Sequence, residues 1–174
     1  MIDVSFSRLR ICIFAVMAGL TLSGAVPLAR SDEPQFDLSG DWQLDRTENF
    51  EVYLKASGTP WWKRKLAKLG STRMRQTIKH EGDRFEIESE NPVETRTDVI
   101  VADGASERSV KTAGGDMMTW TAHVEEDVLV VDGHGDLGHR VIRRRIVDEL
   151  LVMTIINPDA NAECKIYFKR DQSE

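Results

Sequence analysis

The feature that most constrains the fold is a long series of short segments in which apolar and polar side chains alternate. A period of two residues predicts strands, because successive side chains of a strand point to opposite faces of a sheet. Turn clusters rich in Gly, Asp, Asn and Glu separate the segments. Strands are predicted at residues 36–44, 72–80, 84–90, 93–101, 106–112, 116–124, 128–131, 140–156 and 162–169.

Between the first two predicted strands the periodicity changes to that of helices. Phe50 and Tyr53 lie at helical spacing, and Gly58 and Pro60 end that segment. A second amphipathic helix is predicted at residues 61–69. Nine or ten strands at a spacing of about 8–12 residues are typical of β-sandwiches and β-barrels. Both helices are predicted between the first two strands, which favours a barrel with a helical lid over a sandwich. The predicted fold is therefore a mostly β, antiparallel up-and-down barrel capped by two helices.

The N-terminus has the composition of a secretory signal peptide. Basic residues precede an apolar run at residues 11–22, and the small residues Ser23 and Ala25 follow it. The run is short for a membrane span, and an uncleaved N-terminal anchor is the alternative. We therefore expect residues 1–25 to be removed and the protein to be secreted: extracellular, or periplasmic if the source is bacterial.

The remaining chain is predicted to form one domain. Residues 26–35 are expected to be a short exposed leader, residues 36–170 the barrel, and residues 171–174 a frayed C-terminus. No further apolar run approaches membrane-spanning length. We expect a soluble monomer.

Charge and cysteine content exclude several classes of function. Loss of the signal segment takes away Asp3, Arg8 and Arg10, which leaves 21 basic and 28 acidic residues and a net charge of −7. An acidic protein is a poor binder of nucleic acid. Only Cys164 then remains, so no internal disulfide can form and the core must hold the fold.

The last two apolar runs contain cations that an ordinary sheet does not explain. Arg144 shares a strand face with Ile142 and Ile146, while Lys165 and Tyr167 share one face of the final strand. If these faces point inward, a buried cation is costly unless solvent or an anionic ligand accompanies it. The alternation of residues alone does not exclude that Arg144, Lys165 and Tyr167 point outward. In that alternative the cavity is vestigial, the protein acts by protein contact, and Arg144 pairs with an acid such as Asp98 or Glu86.

Several stretches also match a known family in chain order. They are residues 40–44, 48–56, 63–69, 79–87, 112–115, 142–148 and 164–167. Together they resemble the fatty-acid-binding proteins and the cellular retinoid-binding proteins, from about residue 36 to residue 170. The resemblance implies a ten-stranded calycin barrel, capped by two short helices, that encloses one fatty acid or a similar amphipathic molecule. Most members are cytosolic, so the predicted export is a departure from the family.

The resemblance also implies a carboxylate-binding set. The family's arginine on a late strand falls on Arg144, and its Arg-x-Tyr pair on the last strand falls on Lys165 and Tyr167. The family usually has arginine at the position of Lys165. The lysine ammonium is a point charge, whereas the planar guanidinium of arginine can bind both carboxylate oxygens, so carboxylate binding is expected to be less precise in geometry. In this assignment Cys164 faces outward.

The helical segment supplies candidate entrance residues. Four positions are candidates for the portal or the cavity: Phe50, Tyr53, Trp62 and Val93. A basic and aromatic face of the second helix is a candidate for contact with anionic membranes; its residues are Trp61, Lys63, Arg64, Lys65 and Lys68. The alternatives are that the aromatic residues belong to the core and that the helix is a solvated lid.

No constellation in the sequence predicts catalysis or a cofactor. His134, Asp136 and His139 lie in a Gly-rich turn, and two histidines with one carboxylate in such a loop favour an exposed turn over a metal site. No Ser/His/Asp or Cys/His arrangement is recognisable, so a catalytic barrel ranks last. We therefore predict a non-catalytic carrier of a long-chain fatty acid or another amphipathic carboxylate, without metal or cofactor.

Overall fold

The computed structural model describes residues 36–62, 64–65, 73–92, 95–112 and 115–172. Some sequence-based predictions lie outside these residues. They are the signal peptide at 1–25, the leader at 26–35, the last two residues, most of the second helix and the positions Lys63, Lys68 and Val93.

Ten antiparallel strands form one curled, half-barrel sheet, which confirms the predicted fold. The strands are β1 Gly40–Glu48, β2 Arg75–Glu81, β3 Arg84–Glu90, β4 Thr95–Val101, β5 Arg108–Lys111, β6 Met117–Glu125, β7 Val128–Gly135, β8 Arg140–Val147, β9 Leu150–Asn157 and β10 Ala162–Arg170. Each strand pairs with the next strand in the chain, except that β4 does not pair with β5. Strand β1 also pairs with β10. Strands β4 and β5 are therefore the two edges of the sheet.

The strand bounds differ from prediction at several places; β1, for example, begins at Gly40 and continues to Glu48 instead of ending at Leu44. The run predicted at 140–156 is two strands, because Asp148 and Glu149 adopt positive φ (50° and 65°) and make a two-residue hairpin turn. Strand β5 starts late because the Asp103 side chain accepts hydrogen bonds from the backbone of Ala105 and Ser106, which folds that stretch into a turn. Strand β7 continues to Gly135, four residues beyond the prediction.

The concave face of the sheet holds the hydrophobic core. Trp42 on β1 is 1% exposed, and its Nε1 donates a hydrogen bond to the carbonyl oxygen of Leu38 at 3.1 Å. Phe168 on β10 is fully buried and lies opposite Leu44. Burial of side chains of this size contributes about 1.5–3 kcal/mol each. The core therefore stabilises the described part of the chain, whose one cysteine, Cys164, is free.

Among the residues described between β1 and β2 there is one short α-helix, α1 Phe50–Ala56, as predicted for the first lid helix. Tyr53 is its buried residue, and the Asn157 side chain at the end of β9 donates a hydrogen bond to Ser57 Oγ at 3.0 Å. A helical turn follows, in which the backbone amide of Arg64 donates to the carbonyl of Pro60. Among the described residues, no helix has the length and apolar character needed to cross a membrane.

A β-bulge in β1 changes which residues face outward. The pairing with β10 shifts between Leu44 and Arg46, so that Asp45 has no partner on β10. Leu44 therefore keeps its place among the core side chains, whereas Arg46 lies on the outer face, where its guanidinium carbon is 3.9 Å from the ring centroid of Tyr167.

The two sheet edges approach each other without forming a strand pair. Arg108 on β5 donates a side-chain hydrogen bond to the Val99 carbonyl on β4. Beyond the end of β4, the Gly104 amide donates to the carbonyl of Ala122 on β6 at 2.8 Å. These contacts bridge a gap in the sheet, and the interior beneath the gap is not filled by the core.

Candidate functional site

A cavity of about 440 Å³ lies on the concave side of the sheet beneath the β4 and β5 edges. This volume is within the range of about 300–1,000 Å³ typical of small-molecule sites. Apolar side chains form much of its wall, with a few polar groups among them. Its lining includes Ile87, Arg96, Asp98, Ile100, Arg108, Val110, Trp120, Ala122, Val131, Ile142 and Arg144.

Gly133 on β7 makes room for the largest aromatic side chain of this wall. It lies directly opposite Trp120 on β6, and a Cβ at position 133 would come within 2.1 Å of the Trp120 ring. The indole therefore lies flat over the backbone of β7. Glycine at this position fixes the shape of the cavity wall, because any larger residue would push the ring aside.

Arg144 is the buried cation of the cavity. It is 8% exposed and lies across from Leu129 on β7 and Met153 on β9, and its Nε is buried without a hydrogen-bond partner. Burial lowers the pKa of Arg144 to about 10, while the charge of Asp98 acts in the opposite direction. The guanidinium therefore remains charged at neutral pH, with donor capacity that the protein does not use.

Asp98 does not neutralise Arg144 by direct pairing, because another arginine binds it. On β4, the Nη2 and Nε atoms of Arg96 lie 2.7 Å and 3.0 Å from Asp98 Oδ1. The other acid that could have paired with Arg144, Glu86, lies on the outer face, 3.1 Å from the Nζ of Lys79. The cavity thus contains an Arg96–Asp98 ion pair, in which both contacts are to Oδ1, beside an incompletely paired Arg144.

Lys165 and Tyr167 do not face the cavity, and this part of the sequence-based assignment is wrong. Both lie on the outer face of β10, where Lys165 Nζ is 3.9 Å from Glu163 and the Tyr167 hydroxyl donates to Glu48 Oε2 at 3.0 Å. Partial desolvation and this hydrogen bond raise the pKa of Tyr167. The inner face of β10 consists of apolar residues, which the sheet buries in preference to Lys and Tyr. They are Cys164, Ile166 and Phe168.

The predicted outward orientation of Cys164 is wrong for the same reason. The side chain is fully buried on the inner face of β10. Burial raises the pKa of the Cys164 thiol to about 12. A protonated, inaccessible thiol is a packing group and not a nucleophile at neutral pH.

The three described portal candidates, Phe50, Tyr53 and Trp62, lie around the helix and not in the cavity wall. Phe50 packs against the core, Tyr53 is the buried residue of α1, and Trp62 is 49% exposed. Burial raises the pKa of Tyr53. None of these three residues lines the 440 Å³ cavity. Their roles at an entrance stay predictions.

The described part of the candidate membrane face is an exposed groove beside α1. Trp61 is 64% exposed, and Lys65 Nζ lies 5.3 Å from its ring centroid. Arg64 donates from Nη1 to the carbonyl of Thr59 at 2.9 Å, which leaves its charge near the surface. Val52 on α1 is also exposed, so apolar and basic groups lie side by side.

Sequence reasoning missed several polar groups on the concave face. Gln76 is 3% exposed, its Nε2 donates to Ser89 Oγ at 3.2 Å, and its Oε1 is buried without a partner. Arg96 and Asp98 were also not assigned as a pair within the cavity. The available signal was the alternation of residues along the strands: Gln76 shares a strand face with the buried Ile78, and Asp98 shares one with the partly buried Ile100.

No protein-family model matches the sequence. The chain is 29% identical over 119 residues to sodium/calcium exchanger regulatory protein 1 of Doryteuthis pealeii, and the match covers 68% of this chain and 86% of that protein. It is 39% identical over 59 residues to cellular retinoic acid-binding protein 2 of Mus musculus, which is 34% of this chain and 43% of that protein. The second match thus spans less than half of the retinoic acid-binding protein.

Solved structures show the same fold over nearly their whole length. The REP1-NXSQ fatty acid transporter has a TM-score of 0.69 and 27% identity, and the match covers 79% of this chain and 98% of that one. The human retinoid-binding protein cRBP IV has a TM-score of 0.68 and 26% identity, with 78% and 98% covered.

Proposed function

The chain belongs to the family of fatty-acid-binding and cellular retinoid-binding proteins, and on that premise we propose that it binds and carries a long-chain fatty acid or a similar amphipathic carboxylate. The observation that supports this proposal most directly is Arg144. Its guanidinium is charged, buried in the cavity wall, and has an Nε without a partner. A ligand carboxylate supplies the missing acceptor, and hydrogen bonds between two charged groups are about twice as strong as neutral ones.

The apolar wall of the cavity is proposed to bind the hydrocarbon tail of the ligand. Ile142, Val131 and Trp120 lie on neighbouring strands of the cavity. Burial of each methylene of a ligand tail contributes about 0.8 kcal/mol, so the tail provides most of the affinity. Arg144 then selects a ligand with an acidic headgroup. Because Asp98 is already bound by Arg96, it competes only weakly for Arg144.

We further propose that the protein carries its ligand without chemistry, as a monomer, and outside the cell. We also propose that ligand exchange requires local opening of the helical lid. The exposed Trp61, with Arg64, Lys65 and the neighbouring Lys63 and Lys68 of the sequence, suits contact with an anionic membrane surface during transfer. The signal-like residues 1–25 support export.

The direct test is to identify what the purified protein holds. The protein is denatured and extracted with organic solvent, and the extract is compared by mass spectrometry with that of an unrelated protein from the same expression host. In parallel, a fluorescent fatty acid is titrated into delipidated protein and displaced with unlabelled oleate. Co-purified lipid at near-stoichiometric amount and saturable displacement are expected. No bound lipid and no displacement would overturn the carrier and favour the vestigial cavity that acts by protein contact.

A further inference from the structure

A second group of ligand-type side chains lies on the outer face of the sheet, away from the cavity. Asp132 and His134 are two residues apart on β7, so their side chains share one face. The neighbouring Val131 and Gly133 are buried on the concave side. Strand geometry therefore places a carboxylate and an imidazole next to each other on the convex side.

The loop before β8 brings a second imidazole to the same place. Gly133 on β7 pairs with Arg140 on β8, which sets His139 beside the end of β7. The backbone amide of His139 donates to Asp159 Oδ2 at 2.7 Å, and Arg140 donates to the His139 carbonyl at 2.6 Å. His139 is thus held by its backbone, and its side chain is only 27% exposed.

Both imidazole rings point to the same carboxylate oxygen. His139 Nε2 lies 3.1 Å from Asp132 Oδ1, and His134 Nε2 lies 3.2 Å from that atom. The two rings are stacked with centroids 4.1 Å apart and an angle of 17° between their planes. One potential ligand atom from each of the three residues lies within 4.8 Å of the other two.

We propose that Asp132, His134 and His139 bind a divalent late transition metal ion, with Zn²⁺ as the best match. Two imidazole nitrogens and one carboxylate oxygen are a zinc ligand set, whereas Ca²⁺ and Mg²⁺ prefer all-oxygen sites. Ligand atoms bound about 2.0–2.1 Å from a tetrahedral zinc are about 3.3 Å apart. The observed nitrogen–oxygen distances are close to this value, and water completes the fourth position.

The surrounding charges are compatible with this site. Asp136, the acid that the sequence placed with these histidines, accepts a hydrogen bond from the Met117 amide at 2.8 Å and is not one of the three converging groups. Asp159 is held by the His139 amide. Without a metal, each Nε2 atom donates to the Asp132 carboxylate, and His139 Nε2 lies near both of its oxygens, 3.1 Å from Oδ1 and 3.2 Å from Oδ2. A metal ion at the convergence point replaces both donated protons and binds all three groups at once.

Zinc titration of metal-stripped protein tests the proposal. Isothermal titration, or competition with a chromophoric chelator, should show one Zn²⁺ per chain. His134→Ala, His139→Ala and Asp132→Asn should each weaken binding by at least about tenfold, since even changes around metal ligands cost about 10–100-fold. His123→Ala is the matched control, because this exposed histidine on β6 lies outside the cluster, and it should bind as the parent protein does.

The second readout reports the ligand set directly. Cobalt(II) in place of zinc should give the intense visible absorption of a four-coordinate site in the parent protein and in His123→Ala, and lose it in His134→Ala. Circular dichroism of the metal-free variants shows that they are folded. No zinc binding by the parent protein, or equal affinity in the parent and the three ligand variants, would overturn the proposal. The fatty acid assay is independent, because none of the three residues lines the cavity.

Discussion

The hydroxyl of Tyr167 on β10 donates a 3.0 Å hydrogen bond to Glu48 at the end of β1, on the outer face of the sheet. The guanidinium of Arg46 lies over the same ring. Through these two contacts, the Tyr167 side chain joins the first strand to the last strand. A residue so placed cannot also bind a ligand on the concave side.

Tyr167→Phe and Lys165→Ala should therefore leave fatty acid affinity within about twofold of the parent protein. The hydrogen bond to Glu48 is exposed, so its loss should reduce the free energy of unfolding by no more than about 1 kcal/mol. Fluorescent fatty acid titration and urea denaturation measure the two quantities. A tenfold loss of affinity in either variant would mean that the side chain reaches the ligand.

Arg144→Ala should weaken the binding of a fatty acid by about 1.5–3 kcal/mol, the contribution of a hydrogen bond to a charged group. The methyl ester of the same acid should bind nearly as well to the variant as to the parent protein, because its headgroup carries no charge. Arg143→Ala is the matched control: Arg143 is the exposed neighbour on β8, 3.4 Å from Glu125. Equal losses for acid and ester would show that Arg144 does not meet the headgroup.

Arg144→Met should not destabilise the ligand-free protein. Methionine keeps much of the side-chain volume and removes a buried charge whose Nε has no partner. Replacement of buried ionic groups by apolar ones of similar size is often neutral or stabilising by about 1–4 kcal/mol. Urea denaturation of delipidated protein measures this difference. A loss of more than about 1 kcal/mol would indicate that Arg144 is satisfied within the folded protein.

The alternation of residues predicted the sheet, and the family resemblance implied the inward position of Arg144, but two residues on one face of β10 could not predict the orientation of that strand. Lys165 and Tyr167 are two residues apart, so they share one face of β10 whether that face points inward or outward. The deciding information was the other set, Cys164, Ile166 and Phe168, which is wholly apolar and is buried. A shift of one residue exchanges the two sets, so two motif residues on β10 are weaker evidence for its orientation than the apolar pattern of the whole strand.

Other features depend on pairing between strands, which a single sequence does not contain. The bulge at Asp45 is set by the register of β1 against β10. The approach of His139 to Asp132 is set by the pairing of β7 with β8, and the strand at 128–131 was predicted too short to include Asp132. The sequence therefore grouped the histidines with Asp136, their neighbour in the chain, and not with their neighbour in space.

Gly133→Ala should destabilise the protein by about 1–3 kcal/mol, the usual cost of overpacking. The new Cβ would lie 2.1 Å from the Trp120 ring, which must then move into the cavity. Fatty acid affinity should fall as well. In a Trp120→Ala background the same substitution should cost much less, and a double-mutant cycle measures this coupling. Additive losses would show that Trp120 is not the residue displaced.

The buried thiol of Cys164 should make stability depend on pH in the alkaline range. Its pKa is about 12 in the folded protein and near 9.0 in the unfolded chain. Above pH 9 the unfolded chain loses the thiol proton while the folded protein keeps it. The unfolded state then binds fewer protons, so the free energy of unfolding falls as pH rises from 9 towards 12, and below pH 9 the thiol contributes no slope.

Cys164→Ala isolates this contribution, because the variant has no thiol at that position. Urea denaturation of the parent and the variant at pH 8 and pH 10 gives the difference in unfolding free energy at each pH. The advantage of the parent protein over the variant should shrink by about 1.4 kcal/mol between the two, because the slope of about 1.4 kcal/mol per pH unit is reached only above pH 9. A constant difference would mean that the thiol ionises equally in the two states, which requires access of solvent to the inner face of β10.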